Sequence, residues 1–137
     1  LSGGIAADTL YGSAGRDMLI GGGGADSFVF RSLADSPADA ARCDVLRAGL
    51  GGLAFDGAGA AAGDRIDLSA IDANLTAAGN QAFVFGGTAK GHVWCVDSGT
   101  TTTVYANVDN DAAAEFRLDI LDGGVLASAY KAVDFIL

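Results

Sequence analysis

Four aspartates at nine-residue intervals constrain the fold of this 137-residue chain more than any other feature. They are Asp8, Asp17, Asp26 and Asp35. The first three each end a glycine-rich hexapeptide, at residues 3–8, 12–17 and 21–26. An apolar residue follows each of these three by two positions, at Leu10, Leu19 and Phe28. A Gly-Gly-x-Gly-x-Asp-x-apolar-x repeat is typical of a parallel β-helix wound from nonapeptides.

The residue types in each nonad point to a metal ion in the turns. Glycine permits the positive φ angles of a tight turn. Turn carbonyls and short carboxylates supply the oxygen ligands that Ca²⁺ prefers. Side chains alternate along the strand that follows each turn, so the apolar series faces inward and its neighbours face outward. The outward series is Thr9, Met18 and Ser27.

Two nonads make one coil of about 18 residues, so alternate turns lie on the same side of the roll. We therefore expect Asp8 to face Asp26 across one site and Asp17 to face Asp35 on the opposite edge. Asp44 falls on the same nine-residue step and could close a further site beside Asp26. The alternative is a flexible Gly/Asp linker without metal, which does not explain an apolar residue at a fixed place in each unit.

Composition limits the kinds of partner. The formal net charge is −9, and of 17 acidic residues only Glu115 is a glutamate. Aspartate suits turns and calcium loops, whereas nucleic-acid binding requires a basic stripe. No run of 18 or more apolar residues is present, so no membrane span is predicted.

Beyond the nonads the pattern predicts further β-structure. Strands are expected at residues 43–46, 82–85, 92–96, 101–108 and 115–121. A helical turn capped by Ser69 is expected at residues 69–74, and a short helix at 127–133. The expected fold is all-β, with a short calcium-binding parallel β-roll (1–36) stacked on an antiparallel, β-sandwich-like cap (37–137). Cys43 and Cys95 could form a disulfide or stay as buried thiols.

Several segments carry a family resemblance. They are the nonads, Gly24-Ala25-Asp26-Ser27-Phe28-Val29-Phe30, residues 64–74 (Asp-Arg-Ile-Asp-Leu-Ser-Ala-Ile-Asp-Ala-Asn), Gln81-Ala82-Phe83 and Asp134-Phe135-Ile136-Leu137. Together they resemble the C-terminal domain of serralysin-type secreted metalloproteases. They are also similar to the repeat modules of alginate epimerases and other RTX proteins. The resemblance implies a secreted, extracellular bacterial protein exported by type I secretion machinery, which would read an uncleaved signal at residues 134–137. It also implies calcium-driven folding outside the cell.

In that family, alternate turn carbonyls and the turn aspartates hold the ions. The resemblance implies one set of ligands from Gly4, Ala6, Asp8, Gly21, Gly23 and Asp26. It implies a second set from Ser13, Gly15, Asp17 and Asp35. Ala6 and Ser13 replace the usual glycines. The acidic turn at Asp109 has Ala112 where the family has glycine, so we do not predict a calcium site there.

No catalytic motif is present. The zinc signature His-Glu-x-x-His cannot form because His92 is the only histidine, and there is no Gly-x-Ser-x-Gly elbow. We predict a non-catalytic calcium-binding module. Leu1 lies nine residues before Leu10 and no initiating methionine is present, so we expect a fragment with upstream domains. One alternative is the end of a serralysin-like protease whose zinc domain precedes Leu1. Another is a carbohydrate-binding or adhesive module that uses exposed aromatics such as Trp94 or Tyr105.

Overall fold

The computed structural model describes residues 1–137 as an all-β fold without α-helices. Its strands are β1 (Ser2–Gly4), β2 (Thr9–Leu10), β3 (Met18–Gly22), β4 (Ser27–Val29), β5 (Asp44–Arg47), β6 (Arg65–Asp67), β7 (Val84–Phe85), β8 (His92–Ser98), β9 (Thr101–Asn107), β10 (Phe116–Leu121) and β11 (Phe135–Ile136). Two 3₁₀ turns cover Ala127–Ala129 and Ala132–Asp134. None of the helical segments has the length and hydropathy needed to cross a membrane.

The strands form two sheets whose N-terminal parts are the two walls of a parallel roll. The seven-stranded sheet has the order β1-β3-β5-β10-β9-β8-β7, and the four-stranded sheet has the order β11-β6-β4-β2. In the first sheet Leu19 pairs with Leu46, and in the second Phe28 pairs with Ile66. In both sheets a strand that precedes residue 36 pairs with a strand that follows it, so the hydrogen bonding is continuous across that position. The division of the chain at that residue stays a prediction.

The cap continues the first sheet of the roll. β10 pairs in parallel with β5, and β9 lies between β10 and β8 and is antiparallel to both. The predicted strands at 92–96 and 101–108 form an antiparallel hairpin, with Gly99 at φ 70° in its turn. The cap strands thus join the roll edge to edge as well as packing over its end. This edge pairing adds to the stacked arrangement that the sequence predicts.

Both helical expectations need correction. Ser69 does not cap a helix; its N–H and hydroxyl both donate to Asp67 Oδ1, at 2.9 and 2.6 Å. Aspartate side chains commonly fold back on the backbone two residues ahead in this way, which favours a turn over a helix. The expected helix at 127–133 is two separate 3₁₀ turns, which Tyr130 divides with an extended ψ of 136°.

One hydrophobic core runs through roll and cap. Leu10, Leu19 and Phe28 are buried, which confirms the inward series, whereas Met18 is 48% exposed. Phe30 of the roll meets Phe116 of the cap edge to face, with ring centroids 5.1 Å apart. The two cysteines are unpaired, with Cys43 buried and Cys95 partly buried. The core therefore joins the two halves without a disulfide.

Candidate calcium site

The turn aspartates form two ladders, one along each edge of the roll. On edge A, Asp8 donates its main-chain N–H to Asp26 Oδ1, and Asp26 donates in the same way to Asp64 Oδ1, both at 2.8 Å. On edge B, Asp17 donates to Asp44 Oδ1, also at 2.8 Å. Each of these aspartates lies immediately before a roll strand or at its first residue. The parallel pairing of the strands is therefore what brings the carboxylates together.

One predicted pair of aspartates is adjacent in the structure, and two other pairings are corrected. Asp8 and Asp26 adjoin on edge A, as expected. Asp17 adjoins Asp44 instead of Asp35, and Asp44 therefore lies on edge B instead of beside Asp26. The reason is strand pairing: β5, which begins at Asp44, is the strand that lies next to β3.

Asp35 serves its own turn. Its Oδ2 accepts the N–H groups of Arg31 and Ser32 at 2.8 and 3.1 Å, and its Oδ1 accepts the Ser32 hydroxyl at 3.0 Å. The turn before it lacks glycines, and these hydrogen bonds hold it in shape instead. Three of the roughly four acceptor sites of this carboxylate are thus used within the turn, and the role of Asp35 as a calcium ligand stays a prediction.

Asp64 is an edge residue that the nonapeptide spacing does not assign. It lies 38 residues beyond Asp26, outside the nine-residue register. A weak signal was present, because Asp64-Arg65-Ile66 repeats the Asp-x-apolar triplet of Asp26-Ser27-Phe28. Asp44-Val45-Leu46 carries the same triplet.

Two buried carboxylate oxygens have no partner. Asp26 is 2% exposed and Asp44 is 0% exposed, and the Oδ2 atom of each makes no hydrogen bond. Buried polar atoms are almost always satisfied, so each such oxygen calls for an explanation. A cation beside each of these two atoms would satisfy it. The donor set of the edges therefore fits a hard, oxygen-seeking ion such as Ca²⁺.

Two glycines keep the space at these oxygens open. A Cβ at Gly12 would lie 2.9 Å from Asp44 Oδ2 and 3.0 Å from Asp17 Oδ2, so both carboxylates converge beneath that turn. A Cβ at Gly21 would overlap Asp26 Oδ2. The glycines of the repeat thus leave room for the carboxylates as well as shaping the turn.

The electrostatics of edge B favour a bound cation. The pKa of the Asp44 carboxyl is raised to about 7, mainly by burial and to a smaller extent by the nearby charges of Asp17 and Asp35. The hydrogen bond from the Asp17 N–H acts in the opposite direction. Burial likewise raises the pKa of Asp64 on edge A. A positive ion would offset the cost of keeping these groups ionised.

The predicted carbonyl ligands belong to the same turns as the aspartates. On edge A the Gly23 N–H donates to the Gly4 carbonyl at 2.9 Å, which holds successive turns in register. Gly21 begins the same turn, and Ala6 lies against Gly24 of the next coil. On edge B, Ser13 and Gly15 have positive φ values of 69° and 118°. Ser13 therefore occupies a conformation that glycine adopts more easily. The role of these carbonyls as ligands stays a prediction.

A third acidic group lies in the cap. Carboxylate oxygens of Asp109, Asp111 and Glu115 come within 4.8 Å of one another. They are engaged by their own loop: Asp109 accepts the Asp111 N–H at 2.9 Å, and Glu115 accepts the Val108 N–H at 2.9 Å. These contacts account for the cluster as the cap of a turn.

Comparison with known proteins identifies the repeat. Residues 1–35 match the family described as the RTX calcium-binding nonapeptide repeat. No curated protein matches the chain. The fold is similar to the solved AlgE6R3 subunit of the Azotobacter vinelandii mannuronan C5-epimerase, with a TM-score of 0.50 and 26% identity over 98% of this chain and 72% of that one. It is also similar to the AlgE6R2 subunit of the same epimerase, with a TM-score of 0.57 and 23% identity over 100% of this chain and 91% of that one.

These findings agree with the geometry of the two edges. Residues 1–35 carry RTX repeats, whose family binds Ca²⁺, and the all-β fold is similar to that of the epimerase subunits. The repeat itself is non-catalytic. An origin in a serralysin-type protease stays a prediction.

Proposed function

We propose that this chain is the non-catalytic calcium-binding module of a longer secreted bacterial protein, and that it folds when calcium fills the two roll edges outside the cell. The observation that carries the proposal is the pair of buried, unpartnered oxygens on Asp26 and Asp44. RTX repeats are typical of extracellular bacterial proteins, which supports the location.

Calcium supplies folding free energy in this scheme. Without the ion, the carboxylates of each edge repel one another across a few ångströms. Extracellular calcium modules bind with dissociation constants of about 10⁻⁴ to 10⁻³ M, well above cytosolic calcium levels. An ion that binds only the folded state stabilises it by about 1.4 kcal/mol per site at a concentration of roughly ten times the dissociation constant, which millimolar calcium reaches for the tighter of these sites. The chain would therefore stay unfolded inside the cell and fold after export.

This behaviour would serve type I secretion. An unfolded chain can pass through the export machinery with its C-terminal residues 134–137 accessible. Folding on the far side would then prevent its return and stabilise the upstream domains of the same polypeptide.

A calcium titration followed by far-UV circular dichroism tests the proposal. The calcium-free chain should show little β-structure in the roll, and millimolar calcium should build it cooperatively. Asp26→Ala should raise the calcium midpoint, because it removes one edge A carboxylate. Asp97→Ala is the matched control, because Asp97 lies in the cap and accepts only the Ala127 N–H. A spectrum that does not change on chelation would overturn the proposal.

A second candidate function, carbohydrate binding, rests on the outer face of the cap sheet. Trp94 and Tyr105 are partly exposed there and stack at 5.7 Å with an interplanar angle of 28°. The Arg117 guanidinium lies 5.7 Å from the centre of the Tyr105 ring. Two of its nitrogens donate to Asp119, at 2.9 and 3.2 Å, which leaves the third nitrogen to meet a ligand. Stacked aromatics beside a cation suit an acidic sugar ring, and the similar AlgE6R3 subunit belongs to a mannuronan epimerase.

Intrinsic fluorescence can test this second candidate, because Trp94 is the only tryptophan. Titration of the calcium-loaded chain with mannuronan should change the emission, and Arg117→Gln should weaken the response. Arg31→Gln is the control, because Arg31 packs over Tyr11 in the roll, away from this face. Equal responses from the two variants would exclude the aromatic face as the binding site.

A further inference from the structure

Residues 53–64 connect calcium edge A to the C-terminal end of the chain. This segment, here called the strap, contains no strand and runs from the end of β5 towards β6. Asp56 and Asp64 close it into a loop: the Asp56 N–H donates to Asp64 Oδ2, and the Asp64 N–H donates to the Asp56 carbonyl, both at 2.8 Å. The strap therefore begins and ends beside the last aspartate of edge A.

Asp64 differs from the other aspartates that accept an N–H from the preceding coil. One of its oxygens accepts the Asp26 N–H, as in the rest of the ladder. Its second oxygen accepts the Asp56 N–H, whereas the second oxygens of Asp26 and Asp44 make no hydrogen bond. At Asp64, the Asp56 N–H of the strap thus fills the position that stays open beside the second oxygens of Asp26 and Asp44. The last aspartate of edge A is therefore hydrogen-bonded to the strap through its second oxygen.

The middle of the strap holds the C-terminal segment. The Gly59 N–H donates to both oxygens of Asp134, at 2.8 and 2.9 Å. Asp134 is fully buried and also accepts the Lys131 N–H at 2.7 Å. A buried carboxylate depends on such donors because it has lost its hydration. Release of the strap would leave Asp134 with fewer donors.

Aromatic packing follows the same route. Phe55 of the strap lies between Phe28 of the roll, at 6.5 Å, and Tyr130 of the C-terminal turn, at 5.3 Å. Phe135 then pairs with Ile66 of β6, the strand that directly follows Asp64. Two routes, one through hydrogen bonds and one through packing, therefore connect edge A to β11.

We propose that calcium at edge A controls whether the C-terminal residues 131–137 are docked or exposed, with the strap as the coupling element. This inference rests on the calcium-dependent folding proposed above. Calcium offsets the repulsion between Asp8 and Asp26 and fixes the turn that presents the Asp26 N–H to Asp64. The strap then closes, Gly59 holds Asp134, and β11 pairs with β6. Without calcium the strap opens, and residues 131–137 become an accessible tail.

Hydrogen–deuterium exchange of the whole chain, measured by mass spectrometry across a calcium titration, tests the coupling. Residues 1–35, the strap and residues 131–137 should gain protection with one calcium midpoint. Protection of the repeat without any calcium-dependent change at 131–137 would overturn the coupling and leave the proposed function intact. No calcium-dependent protection anywhere would overturn both.

A matched pair of glycine variants separates the strap from the ion site. Gly59 has φ 78°, and a Cβ there would lie 2.6 Å from the Ala129 carbonyl oxygen. Gly123 has a similar φ of 73° but no atom within 4 Å of its Cβ position. In saturating calcium, Gly59→Ala should make residues 131–137 exchange at least roughly tenfold faster, because hydrogen bonds to a charged acceptor are stronger than neutral ones. Gly123→Ala should not.

A second variant covers the case in which Gly59→Ala fails to fold. Asp134→Asn preserves the size of the side chain but removes its charge, and it should accelerate exchange at Gly59 and 131–137 while residues 1–35 stay protected by calcium. Equal exchange at 131–137 in Asp134→Asn and wild type would contradict the proposed route. Because such coupling is reciprocal, the variant should also raise the calcium midpoint for protection of residues 1–35, and an unchanged midpoint would contradict the coupling.

Discussion

Asp17 donates its main-chain N–H to Asp44 Oδ1 across 27 residues of sequence, although Asp35 lies nine residues closer in the repeat. The relationship shows that strand pairing, and not residue counting, selects the partner of a turn aspartate. The chain between Phe30 and Cys43 leaves the roll, and the next strand of that wall begins at Asp44. Edge A therefore combines two nonads with Asp64, and edge B combines one nonad with Asp44. The contact between a main-chain N–H and an aspartate oxygen is the same on both edges.

Substitution of Asp44 and of Asp35 separates the roles of these two residues. Asp44→Asn should weaken calcium binding at edge B by about tenfold, because affinity depends on the number of charged ligands. Asp35→Asn should leave calcium affinity nearly unchanged and lower the free energy of unfolding by about 1 kcal/mol through weaker hydrogen bonds in its turn. Isothermal titration calorimetry measures the first effect and urea unfolding the second. If Asp35→Asn weakens calcium binding more than Asp44→Asn does, Asp35 is the true ligand.

The calcium-free chain should become more stable as the pH falls from about 7 towards 4. The pKa of Asp44 is raised from 3.8 to about 7 by burial, so the folded state binds more protons than the unfolded state in this window. Stability is then fully present below the unfolded pKa and is lost as the pH rises through the folded value. Far-UV circular dichroism in a chelator, recorded from about pH 7 down to about pH 4, measures the trend as a gain of β-structure, and Asp44→Asn should flatten it.

Calcium should reverse that dependence. Protons compete with the ion for Asp44, so the calcium-bound chain should lose stability as the pH falls through the same window. A calcium-free chain that is most stable above pH 7 would contradict the assignment of Asp44 as a buried, unpartnered carboxylate.

The sequence predicted the parts of the molecule that follow a short-range rule. The nonads place Leu10, Leu19 and Phe28 inside because strand side chains alternate, and all three are buried. The strand at 115–121 was recognisable because Phe116, Leu118 and Ile120 alternate with polar residues, and it forms β10. Such patterns need only local information.

Pairing between strands that are far apart in the sequence could not be predicted from such local patterns. The parallel pairing of β10 with β5 joins segments more than 70 residues apart, and no local pattern encodes it. Asp64 joins edge A after a 38-residue excursion through β5 and the strap. Its Asp-x-apolar triplet is too short to be distinguished from chance without the strands on either side. The length of the loop between two roll strands decides which aspartate reaches the edge of the roll. The periodicity of the sequence does not give that length.

The space at edge A can be tested without removing a carboxylate. Gly21→Ala would place a Cβ against Asp26 Oδ2, and the carboxylate must then move away from its position. We expect weaker calcium binding and a loss of about 1–3 kcal/mol in the free energy of unfolding, as is usual for overpacking. Gly124→Ala is the control, because no atom lies within 4 Å of its Cβ position. Calorimetry and urea unfolding in calcium would measure both, and indistinguishable variants would show that the Gly21 turn relaxes without cost.

Substitution of adjacent residues of β3 should change the free energy of unfolding by different amounts, because one side chain faces the core and the other faces solvent. Leu19 is 0% exposed and Met18 is 48% exposed. In saturating calcium, Leu19→Ala should lower the free energy of unfolding by about 2–5 kcal/mol, since it removes buried methyl groups and leaves a cavity. Met18→Ala should change it by less than about 0.5 kcal/mol, as for most surface substitutions. Urea unfolding compares the two. Equal losses would mean that the strand has slipped by one residue, which would also move Asp17 away from Asp44 and dismantle edge B.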